Sequence, residues 1–211
     1  MKPPTPPARS LLRGTLAVVA AGLAALLPAA GTASATPLTG KAQRTVTTAD
    51  GDTFRLRLKA TPVVLPATGG TVHVRGAGYN RTQGILLAFC VIPDGVEVGD
   101  PSTYTTLPGP CLGGREAQDG SSRRITDTGV GTPGVTLPYE DGGGFRTTLN
   151  LRPEIADGKV CGRTVRCAVV TRADFAATNV RLYDQYIPVH FAPSGAEAGA
   201  AGTTAGTTPR P

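Results

Sequence analysis

The chain predicts an all-β domain stapled by disulfides, on three observations. Glycine and proline make up 28 and 19 of its 211 residues, with no Trp and a single Met, so turn formers outweigh helix signals. Several stretches alternate apolar and polar residues with period two, the mark of a half-buried strand. Four cysteines, Cys90, Cys111, Cys161 and Cys167, follow an export-type N-terminus.

Residues 1–35 carry Lys2, Arg9 and Arg13 without an acid, then an apolar run from Leu16 to Leu27, then Ala33-Ser34-Ala35. This is the three-part pattern of a secretory signal peptide, with cleavage expected after Ala35. The apolar run is about a dozen residues, short of the roughly 20 that a spanning helix needs. The mature chain is therefore expected outside the cell, released as a monomer with no stable membrane anchor. Losing the signal lowers the formal charge from +6 to +3. A net charge of that size argues against nucleic acid as a partner, which usually needs a concentrated basic face.

Residues 36–52 are polar and unpatterned and read as a flexible leader; the folded domain is expected over 53–192. Phe54, Leu56 and Leu58 alternate with Arg55, Arg57 and Lys59, predicting a strand that Pro62 and Pro66 then interrupt, as on a sheet edge. A second strand runs from Thr71 to Arg75, with Val72 and Val74 on one face, and Gly76-Ala77-Gly78-Tyr79-Asn80 turns the chain. Ile85 to Ile92 is continuously apolar, the pattern of a central strand buried on both faces. Residues 93–143 are rich in Gly, Pro, Asp and Ser and read as a long loop, with short apolar stretches at 104–107 and 135–139. Phe145, Thr147, Leu149 and Leu151 restore the alternation, a strand follows Cys167, and Ile187, Val189 and Phe191 share the face of a closing strand. About seven short strands separated by turns read as a β-sandwich. Residues 193–211 are low in complexity and are expected to be a disordered tail.

Four cysteines allow three pairings, and the sequence alone leaves the choice open. Cys161 and Cys167, with five residues between them, are near enough to close a hairpin, which makes sequential pairing the simplest. Zinc is the rival reading, but there is no C-x-x-C knuckle, and an exported chain meets an oxidising compartment.

Gly76-Ala77-Gly78-Tyr79, an apolar strand ending in Cys90, a second cysteine and a Gly-Gly-Phe-x-x-Thr-Leu-x-Leu strand at 143–151 follow one another in that order. With Cys-x5-Cys-Ala-Val-Val and a closing Ile-Pro-Val-His-Phe, the series resembles the neocarzinostatin-type apoproteins of actinomycetes over about residues 53–192. The resemblance implies a seven-stranded immunoglobulin-like Greek-key sandwich with sequential disulfides. It also implies a ligand cleft, with Cys90–Cys111 at its floor and the Cys161–Cys167 hairpin beside it. In the antibiotic members that cleft holds an enediyne chromophore. Here Val91-Ile92 stands where the family has a pocket aromatic, Val170 where it has a glycine, and Arg172 near a small serine position. Ile92, Val170, Arg172, Tyr183 and Tyr186 are the candidate cleft residues.

His73 and His190 fall opposite the apolar faces of their strands and read as surface residues. No G-x-S-x-G elbow or H-E-x-x-H motif is present, so a non-enzymatic protein without cofactor or metal is expected. Gly129-Val130-Gly131-Thr132-Pro133-Gly134 imitates a phosphate-binding signature, but Pro133 forbids the helix such a site needs. The Arg55, Arg57 and Lys59 stripe reads as a charged edge that blocks sheet aggregation, with an anionic wall polymer as the alternative partner. Taken together, the chain reads as a secreted interaction module whose partner is an envelope protein or wall polymer. The alternative is a carrier of an apolar small molecule in the cleft beside the Cys161–Cys167 hairpin.

Overall fold

The computed structural model describes residues 36–114 and 116–193. The expected signal peptide, and the expected tail apart from Pro193, lie outside the described residues. Every regular element longer than three residues is a strand. One antiparallel sheet contains β1 (Gly40–Thr47), β2 (Thr53–Thr61), β4 (Gly70–Ala77) and β8 (Phe145–Leu151), side by side in that order. A second contains β5 (Ile85–Val91), β6 (Ser122–Ile125), β7 (Thr136–Leu137), β11 (Cys167–Ala173) and β12 (Gln185–Pro188). Its order is β12-β11-β5-β6-β7, antiparallel except where β7 runs parallel to β6. Two ribbons complete the domain: β9 (Glu154–Ala156) with β10 (Lys159–Val160), and β3 (Val64–Leu65) parallel to β13 (His190–Phe191).

The two large sheets meet through their inner faces. Leu56, Leu58, Val72, Val74 and Leu149 from the first join Ile85, Leu87, Phe89, Val169 and Ile187 from the second in one core. Each such side chain contributes roughly 1.5–3 kcal/mol by leaving water. A buried polar bridge fixes the alignment of the sheets: the Tyr79 hydroxyl donates to Gln185 Oε1 at 2.6 Å, and Gln185 Nε2 donates to the Leu56 carbonyl at 3.3 Å. Burial pushes the Tyr79 phenol well above its ordinary pKa, so the hydroxyl remains a donor.

Several expectations hold. β5 is buried along its whole length between β11 and β6. The disulfides are Cys90–Cys111 and Cys161–Cys167. His73 and His190 are exposed, and 129–134 is an irregular loop.

Others are corrected. The described residues form thirteen strands where about seven were expected. The presumed flexible leader supplies β1, which pairs with β2 along eight residues. Its inward side chains are Ala42, Arg44 and Val46, too mixed to announce a strand by hydrophobicity. β2 is not an edge strand: β1 flanks one side and β4 the other, and Pro62 only follows its last residue. The long loop of 93–143 also gives up two strands to the second sheet. β6 reads Ser-Arg-Arg-Ile and conceals its role because both arginines are only partly exposed, paired to neighbours.

Candidate functional site

The sequence-predicted cleft maps to the outer face of the five-stranded sheet. Ala88, Cys90, Ile92, Ala168, Val170 and Tyr186 share this face, and Val96 and Tyr104 pack onto them from the segment 93–104. This segment is a strap held at several points. Asp100 Oδ1 accepts from the Ser102 amide at 3.0 Å and caps a 3-10 turn at Pro101–Thr103. The Gly99 amide donates to the Tyr104 hydroxyl at 3.0 Å, and Arg166 Nη2 donates to the Val96 carbonyl at 3.1 Å. The Tyr104 ring lies edge-on to Tyr186 with centroids 4.8 Å apart, and the Arg44 guanidinium sits 5.5 Å above it.

Thus Ile92, Val170 and Tyr186 do come together over the Cys90–Cys111 bridge, beneath the chain's own strap. Arg172 follows on the same face of β11 and is buried. Tyr183 belongs elsewhere: it lies in the main core between the sheets, where its hydroxyl accepts from Asn80 Nδ2 at 3.4 Å. The Cys161–Cys167 bridge also joins the main core. Two hollows flank its hairpin, one of about 480 Å³ lined by Val160, Cys161, Pro153 and Phe191, the other of about 330 Å³ lined by Ile92, Asp94, Thr164 and Arg166.

The outer face of the four-stranded sheet is open. Lys41 on β1 stands opposite Lys59 on β2, Lys59 opposite Arg75 on β4, and Arg75 opposite Arg146 on β8. All four side chains are exposed. At the usual strand spacing this is a row of cations about 14 Å long. Arg57 stands in the adjacent row between Gln43 and Ala77, and Arg55 lies beyond it. No Asp or Glu occurs in the four strands. The nearest counter-charge at the row's end is Glu140, 3.8 Å from Arg146, both solvent-exposed. Because Ala77 has so short a side chain, a depression of about 230 Å³ opens among Lys41, Gln43, Arg57, Lys59 and Arg75.

Like charges directly opposite each other oppose pairing. Unit charges about 5 Å apart in water repel by about 0.8 kcal/mol before salt screening. Edge protection does not explain the charges on β2 and β4, which lie inside the sheet, although Lys41 and Arg146 sit on its edge strands β1 and β8. Lys41, Arg75 and Arg146 escaped the sequence reading because each is an unremarkable polar position in its own strand; only the strand order assembles them.

A small cavity of about 150 Å³ lies where β1 approaches β12, lined by Lys41, Gln43, Arg44, Tyr104, Asp184 and Tyr186 among others. Asp184 is fully buried and its Oδ2 is 3.0 Å from Arg181 Nη1. Burial pushes the carboxyl up to about 7, against the opposing pull of Arg181, Arg44 and Arg172. Arg44 donates from Nη1 to the carbonyls of Arg181 and Asp184, at 2.7 and 3.1 Å. Burial lowers its own pKa. Among the described residues no group of His, Cys, Asp or Glu is placed to hold a metal ion.

No family model and no curated protein matches the chain. Among solved structures, macromomycin is similar at 18% identity and a TM-score of 0.38, over 65% of this chain and 99% of that one. The relation is a distant structural one, and the functional reading rests on the residues of this chain.

Proposed function

We propose that the chain is a secreted, non-enzymatic binding module of the cell envelope that holds an anionic polymer on the exposed face of its four-stranded sheet. The observation that carries this reading is the cross-strand row Lys41, Lys59, Arg75 and Arg146, with Arg57 and Arg55 beside it and no acid in the same strands. A bound polyanion would neutralise charges that otherwise repel one another. The outward side chains of its four strands include no Phe, Tyr or Trp on which nucleic-acid bases could stack; the one ring among them is the imidazole of His73. Two disulfides suit an oxidising compartment outside the cell.

The test is retention of the purified chain on immobilised linear polyphosphate across a sodium chloride series. With four cations engaged, log K is expected to fall against log salt concentration with a slope of about −3. Lys59→Glu with Arg75→Glu, both exposed, is expected to weaken retention more than tenfold. Binding that ignores salt, or that survives this double reversal, contradicts the proposal.

The second reading is a small-molecule carrier. It is favoured by the 480 Å³ hollow against Cys161, whose lining includes Val160, Pro153 and Phe191 and whose size falls in the range of ligand pockets. Native mass spectrometry of the chain after exposure to culture extract checks it; this reading predicts a retained apolar molecule that Phe191→Ala releases.

A further inference from the structure

The depression on the cationic face has a shape that a plain row of charges does not require. Its floor is low because the residues beneath it offer little on the outer side: Gly76 has no side chain, and Ala42 and Leu58 turn theirs towards the core. Ala77, the outward residue opposite Arg57, adds only a methyl group. Around this floor stand Lys41, Arg57, Lys59 and Arg75, with Gln43 as the neutral polar member of the lining. These five are exposed, and among the described residues none of the four cations is held in an ion pair. Lysine and arginine carry their charge at the end of an apolar stem. The hollow therefore combines backbone, methyl and methylene surface with four positive charges.

That combination restricts the occupant. A bare phosphate chain has the charge but no apolar surface to set against the floor. A sugar ring has a C–H face for the Ala77 methyl and the stems, and hydroxyls for the Gln43 amide, which can both donate and accept. In a uronic acid the ring also carries a carboxylate, which the forked guanidinium of Arg57 or Arg75 can meet with two hydrogen bonds. At about 230 Å³, the space corresponds to roughly eight waters of about 30 Å³ each. It has room for one ring and is smaller than the pockets of drug-sized ligands, which begin at about 300 Å³. The cations of the row recur at every strand, about 4.8 Å apart. A linear polyuronide carries one carboxylate on each ring, so its charges recur at about the same interval. A phosphate-linked glycan sets its charges between the units and farther apart.

We propose that the polymer on this face is a polyuronide, with one ring seated in the depression over Ala77 and the neighbouring carboxylates on the cationic row. The inference rests on the polyanion reading above and adds a sugar ring to it. Charge alone does not distinguish a polyuronide from an anionic chain without rings. The depression does.

The test measures, by titration calorimetry at one salt concentration, the affinity of the chain for linear oligogalacturonate and for linear inorganic polyphosphate of matched charge number. Ala77→Leu fills the floor without changing any charge. It is expected to weaken oligogalacturonate binding about tenfold and to change polyphosphate binding by less than about twofold. Gln43→Ala, at an exposed position, is expected to weaken oligogalacturonate binding about threefold, the loss of one hydrogen bond, with polyphosphate again unaffected. Retained polyphosphate binding shows that the sheet face of each variant is intact. If the unaltered chain binds polyphosphate but not oligogalacturonate, the inference is overturned and the polyanion reading stands. Variants that leave oligogalacturonate binding unchanged, or that weaken both polymers equally, also overturn it. Binding to neither polymer removes the polyanion reading, and this inference with it.

Discussion

Truncating Tyr104 asks whether the outer face of the five-stranded sheet is a packed part of the domain or an open cleft under a loose loop. Tyr104 is 6% exposed, packs edge-on against Tyr186, lies under Arg44 and accepts a hydrogen bond from the Gly99 amide. Removing a large buried aromatic costs about 3–5 kcal/mol when the site cannot collapse. The strap is a loop and can settle partway, which places Tyr104→Ala at about 3 kcal/mol. The aromatic pair supplies about 1 kcal/mol of this and the Arg44 contact about 0.5–1 kcal/mol. Tyr104→Phe keeps the ring and both ring contacts and loses one neutral hydrogen bond, about 1 kcal/mol. Urea denaturation of the two variants measures these losses, against a typical total of roughly 5–15 kcal/mol. Binding of a hydrophobic dye then reports the uncovering of Ile92, Val170 and Tyr186. If Tyr104→Ala loses less than about 1 kcal/mol and takes up no dye, the strap is not part of the core and the reasoning fails.

Asp184 gives a pH signature: its carboxyl stays protonated up to about pH 7 in the folded chain and about 3.9 in the unfolded chain. The folded state therefore binds more protons between those values, and stability falls as pH rises from about 4 to 7, by no more than about 4 kcal/mol. Melting temperatures across pH 4–8 should show this slope, and Asp184→Asn should flatten it. Loop-closure entropy predicts that replacing the Cys90–Cys111 pair by serines costs about 3.4 kcal/mol and the Cys161–Cys167 pair about 2.4 kcal/mol, read from denaturation midpoints. A Cβ on Gly76 would run into the Phe145 ring, which is itself buried, so Gly76→Ala should destabilise by about 1–3 kcal/mol in the same assay.

The fold was most legible where local pattern and environment agree. β5 announces itself because both its faces are covered, so every residue is apolar. β4 and β8 do so because one face meets the core and the other meets water. β1 was hidden because its inward position 44 is an arginine, satisfied by the carbonyls of Arg181 and Asp184 across the sheet gap. β6 was hidden because its arginines are satisfied by Thr147 and Asp174, contacts far away in sequence. The cleft residues were partly legible: Val170 and Arg172 came from the family resemblance, and β11 carries both on one face. The strap that covers Val170 comes from a stretch dominated by Gly, Pro and Asp, whose course periodicity cannot follow. The cationic row was the least legible feature. Arg55, Arg57 and Lys59 are visible as a stripe, but the row runs across strands and depends on registers that join residues 41, 59, 75 and 146.

The most direct test is to locate the bound polymer on the isotopically labelled chain by nuclear magnetic resonance, titrating in linear polyphosphate. The account predicts that the largest shift changes fall on the outward positions of β1, β2, β4 and β8, centred on Lys41, Lys59, Arg75 and Arg146, and fade as salt is added. Shifts concentrated instead on the 93–104 strap or the Cys161–Cys167 hairpin, with the four-stranded sheet unmoved, would contradict it.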